Sequence, residues 1–135
     1  MIVFNKNKQT TKGYKMIKVD RQASTIEQGI NNLIEAAKED YKQYHLRLFG
    51  ETSGHSQRTL ENWNSSMSFQ NGKKYFKVIK ENSVFAFIVK EDFKHFKKGD
   101  ILKPASWKTP ALNSARGNVL NGNYPIEWTG PLYLR

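Results

Sequence analysis

An α+β fold is predicted for this chain: a single small domain with one long helix packed on an antiparallel β-meander, closed by an irregular Pro/Gly-rich C-terminal wrap. Three observations predict it. Residues 25–49 repeat their apolar side chains at helical spacing between two capping signals. Residues 67–89 read as consecutive strands separated by turn residues. All four prolines, Pro104, Pro110, Pro125 and Pro131, fall in the last third of the chain, where no period persists. The length of 135 residues suits one domain, and no internal repeat is present. Residues 1–13 are expected to be a basic flexible arm and residues 14–135 the domain.

The arm is polar and lysine-rich, with a short strand expected at Ile2–Phe4. Tyr14 to Val19 alternates, as a strand does. Ser24 is the expected helix N-cap, with Glu27 completing a capping box. Ile26, Ile30, Leu33, Ile34, Ala37, Tyr41, Tyr44 and Leu48 then form an apolar face, and Gly50 ends the helix. Glu35, Lys38, Glu39, Asp40 and Lys42 make the opposite, solvated face. Residues 51–66 are polar and are expected to be a loop that Trp63 pins to the core. Asn71-Gly72 between Met67–Gln70 and Lys73–Lys80 signals a hairpin. Val84–Val89 is an unbroken apolar run, expected as the central, fully buried strand. Glu91–Phe96 is expected as a short helical or 3₁₀ turn, Ile101–Leu102 as a short strand, and Ile126–Trp128 as a final strand before the apolar Leu132–Leu134.

The net charge is +10, more than solubility asks of a small domain. It is unevenly placed. Residues 1–22 carry six Lys/Arg against one Asp, and residues 72–108 carry ten lysines against four carboxylates. In the second block lysines interleave with aromatics, a pattern suited to phosphates and stacked bases. The same alternation also describes an ordinary half-solvated sheet, with Phe76 and Val78 inward. The candidate nucleic-acid or anion site is Lys73, Lys74, Tyr75, Lys77, Lys80, Lys103, Trp107, Lys108 and Arg116, helped by the arm from Lys6 to Arg21. Trp107 is read mainly as a structural cap and Arg116 as a fork that fixes the wrap, with a ligand-contacting role the alternative for each.

Familiar chemistries are not legible. No cysteine is present, which excludes disulfides and thiolate sites. Neither common phosphate-loop signature occurs. His45, His55 and His95 are dispersed, so no metal or other cofactor is expected. No catalytic residues are assigned and an enzymatic role is not favoured. No apolar run approaches the roughly 18 residues of a membrane span. Ile2, Val3 and Phe4 are too short a cluster for a secretory signal. A cytoplasmic protein with no membrane partner is expected.

The segment GDILKPASWKTPALNSARGNVL, followed by WTGPLYL, resembles the C-terminal part of a group of small, uncharacterised tailed-bacteriophage proteins. Their similar pattern also has a lysine-rich strand like KKYFKVI and an apolar strand like SVFAFIV. The resemblance covers residues 72–134. It implies a viral source and action in the cytoplasm of an infected bacterium, and brings no activity or catalytic residue with it. The expectation is therefore a basic phage-type accessory protein that binds nucleic acid non-specifically. The alternative is a protein–protein module that inhibits or redirects a host bacterial protein, or a minor virion component.

Overall fold

Period-two alternation and turn chemistry build a four-stranded antiparallel sheet from β2 (Met67–Asn71), β3 (Tyr75–Lys80), β4 (Ser83–Val89) and β5 (Ile101–Leu102), in that order. The computed structural model describes residues 17–50 and 54–132. The arm 1–13, Tyr14–Met16 and the last residues of Leu132–Leu134 lie outside them. The described residues form an α+β domain with two helices, α1 (Ile26–Phe49) and α2 (Gly54–Ser65). A second, two-stranded antiparallel sheet pairs β1 (Ile17–Val19) with β6 (Tyr124–Ile126), so the last strand begins two residues earlier than its expected start.

The β2–β3 hairpin forms as predicted, but Asn71-Gly72 is not its central dipeptide. Asn71 pairs with Phe76, and the turn runs from Gly72 to Tyr75, closed by the Gly72 N–H on the Tyr75 carbonyl at 3.0 Å. Lys90 explains the difference: its ammonium donates to Asn71 Oδ1 at 2.6 Å and to the Gly72 carbonyl at 2.9 Å, holding Asn71 in the ladder. β3 and β4 are joined through Glu81 and Asn82, with Glu81 at φ 56°.

β4 is interior in the sheet, as its apolar run requires, and both of its faces are covered. Phe76, Val78, Ala86, Ile88 and Ile101 face α1 and join Ile30, Leu33, Ile34 and Ala37 in the main core. Phe87, Val89 and Leu102 face the other way and join Phe96 in a smaller core. A β-bulge opposite Val78/Ile79 leaves Phe85 outside the ladder pairing, which lets Phe85 and Ala86 share the main core.

The helix α1 begins one residue later than the capping reading placed it. Thr25 is the N-cap: its Oγ1 accepts from the Gln28 N–H at 3.1 Å, and Gln28 Oε1 accepts from the Ser24 N–H and hydroxyl in return. Gly50, at φ 77°, ends the helix with its N–H on the Leu46 carbonyl. The amphipathic reading holds over the first turns and drifts afterwards. Asp40, expected in solvent, is buried, and its Oδ2 accepts the Trp128 N–H at 2.9 Å. His45 is buried as well, whereas Leu48 is exposed. The C-terminal half of α1 is covered by α2 and the Trp128 turn, not by the sheet, and those partners select a different stripe of the helix.

The expected loop 51–66 is largely α2. Its apolar anchors Leu60 and Trp63, three residues apart, face inward. Trp63 stacks on Tyr41 of α1 at 4.6 Å and 9°, which confirms it as the anchor. The expected helical turn at Glu91–Phe96 is a tight hairpin: Phe93 and Phe96 exchange both backbone hydrogen bonds, and Lys94 sits at φ 52°. The residues after β5 follow an irregular path, as expected. One strict contact fixes that path against α1, where a Cβ on Gly29 would lie 2.6 Å from the Val119 carbonyl oxygen.

Candidate functional site

The outer face of the sheet, away from α1, gathers the basic and aromatic groups. Along β3 the residues on this face are Tyr75 and Lys77, since Phe76 and Val78 point into the main core. Tyr75 belongs mainly to the smaller core: its ring packs edge-on to Phe87 at 5.5 Å and to Phe93 at 6.1 Å. That burial raises its phenol pKa. Lys74, in the hairpin turn, sets its ammonium 4.1 Å from the Phe93 ring centroid. Lys73 and Lys74 line a cleft of about 360 Å³ with Lys90, Glu91, Asp92 and Phe93.

The distinctive part is an arm from Lys103 to Ala111. The Ala111 N–H donates to the Lys103 carbonyl at 2.8 Å, and Pro104 lies opposite Pro110. Ala105 and Ser106 both donate their N–H to the Thr109 carbonyl at 3.0 Å. Ser106 Oγ accepts from the Lys108 and Thr109 N–H groups, which closes the tip. Trp107 and Lys108 occupy that tip. Trp107 is 47% exposed and belongs to neither core. The structure therefore does not support Trp107 as a cap on an open end of the core. A turn braced on both sides holds it outward, beside the Lys77 ammonium at 4.3 Å.

The structure divides the nine predicted residues. Lys74, Lys77 and Trp107 share the outer side, with Tyr75 as their support, while Lys73 adjoins Lys74 in the hairpin turn and Lys108 adjoins Trp107 at the tip. Among the described residues, none of these four lysines has an ion-pair partner. Lys80 is elsewhere: it pairs with Met67, reaches Glu81 at 3.8 Å and lies 5.5 Å from the Trp63 ring. Its even number puts it on the Phe76–Val78 face, as period two requires. Lys103 turns toward the C-terminal segment and donates to the Pro131 carbonyl at 2.7 Å. Burial, and then the charge of Arg116, lower its pKa, with Glu127 acting in the opposite sense. Arg116 is held by its own loop, its Nη1 donating to Asn113 Oδ1 at 3.1 Å and to the Ser114 carbonyl at 2.9 Å. It fixes the wrap through one nitrogen, not as a two-pronged fork.

Sequence reasoning missed a groove beside Trp107. It is an open depression of about 370 Å³, lined by Asn82 of the β3–β4 turn, by Ser83 and Val84 at the start of β4, and by Pro104, Ser106 and Trp107. Ser106 and Thr109 flanking Trp107-Lys108 were the available signal for the braced tip. Among the described residues, no three His, Asp or Glu side chains converge as metal ligands, and no helix is long and apolar enough to cross a membrane.

No curated protein and no solved structure matches the chain. Residues 6–134 match a family of unknown function (DUF7717), and the chain belongs to that family.

Proposed function

We propose that the protein binds nucleic acid non-specifically through the outer side of its sheet, as a small accessory protein of a bacteriophage acting in the cytoplasm of an infected bacterium. One observation carries the reading: four lysines without ion-pair partners among the described residues accompany a half-exposed tryptophan on a braced turn. Ammonium groups in that state displace the counterions of a phosphate backbone, and the net charge of +10 adds long-range attraction. If Lys73, Lys74, Lys77 and Lys108 each neutralise one phosphate, log K should fall against log salt with a slope of about −3 to −4. Anisotropy titrations of labelled oligonucleotides at several salt concentrations test this. The double variant Lys77→Gln/Lys108→Gln should flatten the slope by about two. Absence of binding at low salt would overturn the reading.

A second reading, a module that binds a host bacterial protein, is favoured by Leu48 and Phe49, adjacent and exposed at the end of α1. Recovery of a single host protein at low salt, lost on Phe49→Ser, would support it.

A further inference from the structure

We infer that the groove beside Trp107 receives one unstacked base, which makes the protein selective for single-stranded over duplex nucleic acid. The inference rests on the nucleic-acid reading above and adds to it the form of the ligand.

A large aromatic side chain gains most when buried, yet Trp107 is left half in solvent by a turn with two backbone hydrogen bonds to the Thr109 carbonyl and two onto Ser106 Oγ. The turn fixes the backbone that carries the ring, so little backbone freedom is lost on binding. The ring lines the open groove together with Val84 and Asn82. An aromatic face, an aliphatic face and a polar edge are what a splayed base requires. The exposed Asn82 amide offers both a donor and an acceptor, so it can meet the edge of any base and imposes little sequence preference. Lys77, 4.3 Å from the ring, and Lys108, next to it in the chain, supply positive charge where the flanking phosphates of a strand threaded past Trp107 would run.

Duplex bases are stacked and paired, so they cannot offer a face to Trp107. Electrostatics alone works against the inference, because duplex carries the denser phosphate charge and responds more steeply to salt. Preference for a single strand is therefore a signature of base stacking and not of the lysines.

The experiment uses the full chain and three labelled ligands of equal length: an oligothymidylate strand, a duplex, and a strand of abasic sites that keeps every phosphate. At low salt the single strand should bind about 5- to 100-fold more tightly than the abasic strand, and more tightly than the duplex. Trp107→Ala should erase that margin and leave abasic and duplex affinities within about two-fold of the parent. Trp107→Phe should retain part of it. The comparison among ligands on the unaltered protein decides the matter even if Trp107→Ala folds poorly. Equal binding of all three ligands would overturn this inference and leave the nucleic-acid reading standing. Binding of none would overturn both.

Discussion

Trp63 holds α2 to the rest of the protein, and replacing it with alanine should show how much. The helix is short and polar, and an isolated helix of that length is marginal in water. Its described buried anchors are Leu60 and Trp63. A buried aromatic removes about 150–250 Å² from water, about 4–6 kcal/mol at 25 cal/mol per Å². Trp63 is 8% exposed, so nearly all of that is realised. Its stack on Tyr41 and its edge contact to Trp128, at 6.4 Å and 78°, add to it. Against this, the indole Nε1 is buried without a hydrogen-bond partner, a cost of about 1–3 kcal/mol that the substitution removes. The net loss should be about 3 kcal/mol, a fall of about 10–15 °C in Tm for a domain of this size. Far-UV circular dichroism at 25 °C should also lose helical signal, because α2 detaches before the core melts. Trp63→Phe keeps a ring on Tyr41 and sheds the unpartnered N–H, so it should stay within about 1 kcal/mol of the parent. A Trp63→Ala protein with unchanged dichroism and a Tm within about 2 °C of the parent would refute this reasoning.

Gly29→Ala should destabilise although it sits in a helix. The gain in helix propensity is about 1 kcal/mol, but the new methyl would lie 2.6 Å from the Val119 carbonyl and 2.8 Å from Val119 Cβ, so a lower urea midpoint is expected. Tyr124→Phe should leave stability at pH 7 unchanged or raised, because the Tyr124 hydroxyl is buried without a partner. It should also lessen the alkaline loss of stability. Burial raises the Tyr124 pKa above its ordinary 10.0, so the folded chain keeps a proton that the unfolded chain releases, and stability present below pH 10 declines above it. Thermal melts at pH 8 and 11 check the difference, with Tyr41 and Tyr75, also raised by burial, leaving a residual slope in the variant.

Local rules were enough for the elements whose partners are close in sequence or uniform in kind. The first turns of α1 lie against one continuous apolar surface, so Ile26, Ile30, Leu33, Ile34 and Ala37 announce their burial by spacing alone. Val84–Val89 reads as interior because both of its faces are covered, and burial on two sides needs no alternation. Period two also assigns Lys77 and Lys80 to opposite faces of β3, so a single site holding both conflicts with that parity. Tertiary structure decided the rest. Composition gives α2 no helical signature beyond Leu60 and Trp63, because the segment is ordered by the Tyr41 ring it docks on. The burial of Asp40 depends on the Trp128 N–H, 88 positions away. Trp107 is the clearest case: a tryptophan's preference is to be buried, and only the Pro104–Pro110 arm, closed by Ser106 and Thr109, holds this one in solvent beside Lys77. Residue type measures what a side chain gains from burial, whereas the backbone path determines whether burial is available to it.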